Sequence, residues 1–428
     1  MSRFSDNATA AAKDKNLQTA LYNATERFKK LRADMIGSID FESYRKKASA
    51  VKSDVIDHLS YYLDQFEKNA EKQGTQVYYA EDAEKAKEIA LRIIRDNNGS
   101  LVVKGKSMVT EEIGLNEFLQ KQDIEVVETD LGEFIIQLAG EKPSHIIAPA
   151  IHKTKEEVGR LFAEKLHIDY TDDPVKLTAI ARKELREKFL KADIGITGVN
   201  FAVADTGSVV IVTNEGNGRM VTTVPKVHIA FATVEKIIPS IKDLSLFLRL
   251  LPRAATGQKI SSYVSFLTGI SKEEKKNERS RHIIFINNGR DAIIAGAFRN
   301  ILSCIRCGAC INVCPVYGFA GGYSYRATYP GPIGIVLTSL LEGISNRSDL
   351  PFSACTLCYA CQEACSVGIK LTDMIRELRR AAVDRKSTGK KLSIMMRMYG
   401  TVFSSPELYK LSKAPINMMI QKGTKKHE

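Results

Sequence analysis

Cys304-Ile-Arg-Cys307-Gly-Ala-Cys310-Ile-Asn-Val-Cys314-Pro315 is answered, with forty residues between Cys314 and Cys355, by Cys355-Thr-Leu-Cys358-Tyr-Ala-Cys361-Gln-Glu-Ala-Cys365-Ser366. All eight cysteines of the 428-residue chain lie in these two runs, each spaced C-x2-C-x2-C-x3-C. Two-residue gaps let the chain curl so that three thiolates converge on one face of a [4Fe–4S] cube. The fourth cysteine departs on a helix and crosses to the other cube, as in the bacterial ferredoxin run. Pro315 cannot continue backbone hydrogen bonding and sets Cys314 apart from the helix before it. The spacing therefore predicts two [4Fe–4S] clusters. One rests on Cys304, Cys307, Cys310 and Cys365, the other on Cys314, Cys355, Cys358 and Cys361.

Other uses of cysteine fit less well. Structural disulfides belong to oxidising compartments, and the start of the chain carries no apolar leader, so a cytoplasmic protein is expected. Structural zinc sites usually pair two C-x2-C knuckles across a longer spacer rather than running three in series. The insert between the two runs holds Pro330-Gly-Pro-Ile-Gly and an apolar stretch, Ile335 to Leu341, suited to a buried helix. An α-helical two-cluster ferredoxin domain over 296–385 is the expectation.

Composition narrows the rest. With 44% hydrophobic and 26% charged residues the chain is globular rather than disordered. Its apolar runs fall short of the roughly 18 residues of a membrane span. The net charge of +12 is uneven: residues 376–428 hold 13 Lys+Arg against 4 Asp+Glu, leaving a nearly neutral body. That argues against nucleic acid as partner. The basic tail, 386–428, carries Met395, Met396, Met398, Met418 and Met419, suited to a partner or a peripheral membrane contact.

Upstream of the cysteines the rhythm changes twice. Residues 1–75 read as helix throughout, with Leu17, Leu21, Phe28 and Leu31, then Val55, Leu59, Tyr62 and Phe66, near helical spacing. From 76 to 295 short apolar runs alternate with amphipathic stretches. The runs are Val77–Ala80, Leu101–Val103, Ile124–Val127, His145–Ala148, Ile194–Thr197, Val209–Thr213, His228–Ala232 and His282–Ile286. Helices are expected near 83–96, 109–121, 154–166 and 174–190. This alternation predicts an α/β domain with a mainly parallel sheet. The charge-dense Ser271–Arg281 reads as an exposed loop.

Several stretches of that domain, taken in order, resemble the LUD-domain family. They are Lys104-Gly-Lys-Ser-Met-Val-Thr-Glu-Glu-Ile-Gly-Leu-Asn, Glu128-Thr-Asp-Leu-Gly-Glu and Ser144-His-Ile-Ile-Ala-Pro-Ala-Ile-His-Lys-Thr. Thr197-Gly-Val-Asn-Phe-Ala-Val-Ala-Asp-Thr-Gly-Ser and Thr213-Asn-Glu-Gly-Asn-Gly-Arg-Met follow. With paired cubane motifs behind them, over about residues 10–385, they are similar to the lactate utilisation B family of iron–sulfur subunits. The resemblance implies an α/β fold like that of ribose-phosphate isomerases and CoA transferases. It also implies an electron-transfer subunit of a cytoplasmic complex oxidising L-lactate to pyruvate without NAD. A cysteine-rich iron–sulfur subunit and a second LUD-domain protein would be its partners. Two positions depart from the family pattern: Ser366 stands where Pro is usual, and Tyr359 where Gly is common.

Lys104, Lys106 and Ser107 lie where a strand ends and a helix begins, a junction that suits a carboxylate or phosphate. Asp205-Thr206-Gly-Ser and the turn Asn214 to Arg219 bracket an apolar strand, and Arg219 suits a bidentate carboxylate. L-lactate or pyruvate is thus the candidate ligand of Lys104, Lys106, Ser107, Asp205, Thr206 and Arg219. A base for the hydroxyl proton is sought among His145, His152, His228 and Glu215. No G-x-G-x-x-G follows a strand, so the hydride acceptor has no motif. Two other readings stay open: glycolate or another 2-hydroxy acid as substrate, and a LUD domain that only binds a ligand or docks while a partner does the chemistry.

Overall fold

A computed structural model of the chain describes residues 3–387 and 390–411. Met418 and Met419 of the basic tail lie outside the described residues. Helices Arg3–Lys13, Lys15–Gly37, Phe41–Asp57 and Leu59–Lys72 open the chain. Asp14 and Asp40 cap two of them, each carboxylate accepting from an N–H three residues on.

Ten strands follow: β1 Gln76–Ala80, β2 Leu101–Lys104, β3 Glu125–Glu128, β4 Ile194–Gly198, β5 Phe201–Val203, β6 Ser208–Thr213, β7 Val227–Thr233, β8 Ile237–Ile238, β9 Tyr263–Leu267 and β10 Ser280–Ile286. Six of them form a parallel sheet in the order β1-β10-β7-β4-β2-β3. Its central strand β7, Val-His-Ile-Ala-Phe-Ala-Thr, is buried at every position, as a parallel strand covered on both faces must be. The remaining four make a smaller mixed sheet, β8-β5-β6-β9. Only β6 of that second sheet was expected; β5 and β8 are three and two residues long and too short for a periodic signal, while β9, five residues long, was not expected either.

Two local expectations are corrected. His145–Ala148 is a loop, not an extended run: the N–H groups of Ile147 and Ala148 go to the ring Nδ1 of His145 instead of a ladder. Within Ser271–Arg281, Ser271 and Glu274 form a capping box on a short helix, Lys272–Lys276, and β10 begins at Ser280.

The cysteine region is helical, with the buried helix Gly331–Leu341 at its centre and Leu371–Asp384 against it. The largest apolar core joins this region to the start of the chain: Phe4, Leu21 and Ala48 pack in one cluster with Phe247, Tyr317, Tyr325, Ile335 and Leu378. Phe4 meets the Tyr325 ring edge-on at 5.0 Å. Carbonyls close to the second cysteine run are also held from the N-terminal helices, as Arg32 Nη2 donates to Ala364 O at 2.8 Å. A side chain such as Leu21, fully buried, contributes about 1.5–3 kcal/mol by removal from water. The helical lead-in therefore braces the cysteine region rather than standing apart. The helix Lys390–Ser404 leaves Met395, Met396, Met398, Tyr399 and Phe403 exposed. No helix among the described residues is long and apolar enough to cross a membrane.

Candidate functional site

The two cysteine runs fold into the same shape twice. Two residues after the first cysteine of each, Arg306 and Leu357 share φ 58°, and one residue after the second, Gly308 and Tyr359 have φ 75° and 65°. These left-handed positions turn the chain so that the main-chain N–H of Arg306 points at Cys304 Sγ (3.4 Å) and that of Leu357 at Cys355 Sγ (3.3 Å). Short helices Ala309–Asn312 and Ala360–Glu363 follow. Glycine adopts such a φ without strain, whereas Tyr359 holds it with a side chain.

The fourth cysteines are held differently from the first three. Cys314 caps the helix Pro315–Ala320, its Sγ accepting from Tyr317 N at 3.5 Å. Cys365 Sγ accepts from Ile369 N at 3.2 Å. Cys365 lies in the electrostatic reach of Cys307 and Cys304, and Cys314 in that of Cys361 and Cys355. Each fourth thiol is therefore a neighbour of the other run, the crossed arrangement that a pair of cubanes requires. Burial pushes the Cys314 and Cys365 thiols up to about 12, a penalty that a bound metal would offset by stabilising the thiolate. Hydroxyls flank both sets: Ser366 Oγ lies 3.8 Å from Cys307 Sγ, and Thr372 Oγ1 3.5 Å from Cys361 Sγ.

Beside the first run a cavity of about 420 Å³ opens at the C-terminal ends of β2, β4 and β7. The chain runs from β2 to β3 on one side and returns with β4 on the other. Ligands of open α/β sheets bind at such a switch point. Its walls come from Gly105–Met108 after β2, Thr197–Asn200, Thr213–Glu215, and Thr233 and Lys236 after β7. Phe28 reaches in from the N-terminal helices, and Arg306 and Tyr329 from the cysteine region. One wall of the cavity is thus the loop between Cys304 and Cys307.

The residues expected to bind ligand divide. Lys106 and Ser107 line the cavity. Lys106 Nζ is buried without a hydrogen-bond partner, 4.0 Å from Glu133, and burial lowers its pKa against the pull of Asp130 and Glu133. Ser107 Oγ caps the next helix by accepting from Thr110 N. Lys104 instead points into the protein, 2.7 Å from Glu128 and 3.6 Å from Glu111, with Nζ donating to Thr110 Oγ1. Asp205 and Thr206 sit in the β5–β6 turn against Asn69 and Ala70, outside the cavity wall, where Asp205 accepts from Ile241 N. Arg219 is exposed and lies over the Tyr263 ring at 5.9 Å.

None of the three histidines lines the cavity. His145 Nδ1 accepts from Ile147 N and Ala148 N, so Nε2 carries the proton toward Asn312 Oδ1 at 3.0 Å. Burial holds its pKa at about 4. His152 is bound between Glu141, Ser144 and Tyr323. His228 pairs with Thr197 Oγ1 inside the sheet, burial lowering it to about 3. Glu215 does stand at the cavity, its pKa raised by burial and by Asp130. Lys236, Thr233 and Arg306 were not anticipated. Arg306 was visible only as a charged residue inside a C-x2-C gap, and nothing local in the sequence says that this gap faces the sheet.

A buried ionic network ties the cavity to the cysteine loop. Arg290, fully buried, takes Glu112 bidentately at 2.7 and 2.9 Å, while its Nε lies 3.0 Å from Glu235. Arg306 Nη2 donates to Glu235 at 3.2 Å, and Tyr329 OH to Glu112 at 2.6 Å. Burial alone would raise the Glu235 carboxyl, but Arg290 and Arg306 hold it at about 2. Removing one member of such a network leaves an unpaired buried charge, a loss of about 3–5 kcal/mol.

Fold and thiols together define a LUD-domain iron–sulfur protein. The LUD domain family matches residues 63–283, and the 4Fe-4S dicluster domain family matches residues 300–369. The chain is 43% identical to lactate utilization protein B of Bacillus subtilis over 412 residues, covering 95% of this chain and 86% of the relative. It is 42% identical to that of Oceanobacillus iheyensis, covering 96% and 86%, and 40% identical to that of Lysinibacillus sphaericus, covering 96% and 87%. The chain belongs to the lactate utilization protein B family. A solved structure of a DUF162 family protein from Deinococcus radiodurans aligns over 54% of this chain and 97% of its own, at 13% identity and a TM-score of 0.29. That likeness is too weak to carry an argument.

Proposed function

We propose that this chain is the electron-transfer subunit of a cytoplasmic complex that oxidises L-lactate to pyruvate. Its two [4Fe–4S] clusters rest on Cys304, Cys307, Cys310 and Cys365, and on Cys355, Cys358, Cys361 and Cys314. The observation that carries the reading is the shared wall: the cavity at the strand ends is closed by Arg306, from the loop between two of the cluster cysteines. The family supports lactate as the substrate. Oxidation breaks the C2–H and O–H bonds and releases two protons and two electrons. When bound, the two clusters would carry those electrons one at a time.

The protein's own part is to hold the acid and keep the path short. Main-chain N–H groups and the Ser366 and Thr372 hydroxyls supply the hydrogen bonds that set cluster potentials. Of the four candidate bases only Glu215 stands at the cavity, its pKa raised by burial and by Asp130. A cysteine-rich iron–sulfur subunit and a second LUD-domain protein are the partners of this reading, and docking by the LUD domain alone is its rival.

The test uses the complex purified without oxygen. Iron analysis is expected to give about eight irons for this chain, and fewer than about six would refute two cubanes. L-lactate is expected to bleach the visible cluster absorbance. Bleaching by glycolate but not by L-lactate would refute the substrate.

A further inference from the structure

The end of the cavity nearest Cys304 gathers four cations, Lys52, Lys236, Arg290 and Arg306, around two carboxylates, Glu112 and Glu235, with the Cys304 thiol a further charge partner of Lys52, Lys236 and Arg306. Arg290 is taken up by both carboxylates. Lys52 donates to the carbonyls of Glu235 and Ile237. The other two are left incomplete. Arg306, 8% exposed, gives Nη2 to Glu235 and stacks over the Tyr329 ring at 5.0 Å, but its Nη1 is buried without a partner. Lys236 has no ion pair or side-chain hydrogen bond among the described residues, and it faces the same cavity. Thr233, three residues before Lys236 and 1% exposed, also lines it with Oγ1 unpaired. Buried donors left unpaired cost about 1–3 kcal/mol each. Incomplete groups gathered on one cavity wall mark a place made for a polar ligand.

We infer that Arg306 and Lys236 bind the carboxylate of a small 2-hydroxy or 2-oxo acid, with Thr233 Oγ1 meeting its 2-oxygen. The assignment rests on the proposed lactate function and names the site within it. A three-carbon acid fills only part of the cavity, so the assignment concerns this cationic end. The chemistry fits: Arg306 offers a planar fork for a carboxylate, and Lys236 adds a point charge. Because Arg306 follows Cys304 by two residues, the bound carboxylate brings negative charge close to the cluster of the Cys304 set. It therefore opposes reduction of that cluster and leaves the other nearly unmoved. Lys106, at the Asp130 and Glu215 side of the cavity, is not needed for this contact.

The test takes the full chain with its clusters, without oxygen, and titrates it with pyruvate, L-lactate and inorganic phosphate. Binding is followed by calorimetry and both clusters by EPR-monitored redox titration. Saturable pyruvate binding, at least about tenfold tighter than phosphate, is expected, with only one cluster's potential falling. Lys236→Met is expected to weaken pyruvate by about tenfold or more, a loss of about 1.4 kcal/mol, with iron content unchanged, while Lys236→Arg retains binding. Arg306→Lys gives a second reading should its loop tolerate it. Absence of saturable pyruvate binding, a preference for phosphate, or full affinity in Lys236→Met would overturn the assignment. In the first case the Nη1 of Arg306 is satisfied by the cluster itself. If the complex turns over L-lactate while this chain binds no carboxylate, the function stands and the site falls. If the chain binds pyruvate but L-lactate reduces nothing, the site stands and the substrate falls.

Discussion

Ser366→Ala removes one hydroxyl and tests which thiols share a cluster. Ser366 is fully buried, with Oγ 3.8 Å from Cys307 Sγ. A cysteine bound to iron has no proton to give, so the hydroxyl must donate and the sulfur accept. That bond favours the reduced cluster, which is more negative. A net hydrogen bond contributes about 0.5–1.5 kcal/mol, and 3.8 Å places this one in the lower half, about 0.5–1. A tenfold change in equilibrium, about 1.4 kcal/mol, equals 59 mV for one electron. Ser366→Ala should therefore lower one cluster potential by about 20–40 mV and leave the other in place. Thr372→Val removes the shorter contact to Cys361, 3.5 Å, and should lower the other potential by a similar or larger amount. EPR-monitored redox titration of the anaerobic protein reads both. The reasoning is refuted if both variants move the same wave, if a potential rises, or if neither moves beyond about 10 mV.

Three further outcomes are expected. Cys365→Ala should abolish the wave that Ser366→Ala moves, and Cys314→Ala the wave that Thr372→Val moves; the reverse pattern in EPR would refute crossed ligation. Tyr359→Gly relieves a left-handed φ of 65° and should raise stability by about 0.5–1 kcal/mol in anaerobic urea unfolding, whereas Gly308→Ala, at φ 75° with Ile147 Cδ1 2.6 Å from the added carbon, should lower it. His282 is held neutral by burial at about 4, so the unfolded chain, with a histidine pKa near 6.5, binds the extra proton first and stability falls with pH from about 6.5 down to about 4. His282→Gln should consequently remove about 0.8 kcal/mol of whatever stability the chain loses between pH 7.5 and 6.0, and an unchanged difference between the two unfolding midpoints would refute this.

The cysteine spacing determined the iron–sulfur region because its information is local. Two-residue gaps, a left-handed turn and a departing helix are properties of a dozen consecutive residues, and the chain repeats them in both runs. The parallel sheet was legible for a similar reason: strands buried on both faces, such as β7 and β10, read as unbroken apolar runs. Sequence alone likewise located Lys106 and Ser107 at a strand end, where a site in such a sheet belongs.

Tertiary structure decided the rest. Lys104 ends β2 and Lys106 lies in the loop beyond it, where the strand's alternation no longer applies: one is consumed by Glu128 and the other faces the cavity. Arg219 carries the right chemistry and faces solvent, because the helix Asn217–Thr223 turns Gly218 inward instead. The cavity's cluster-side wall joins Thr233 and Lys236, at the end of β7, to Arg306, some seventy residues later in the chain. No periodicity or spacing records that meeting. It exists because Arg290 draws Glu112 and Glu235 together beneath the cysteine loop, and long-range ion pairs of this kind are fixed only when the chain is folded.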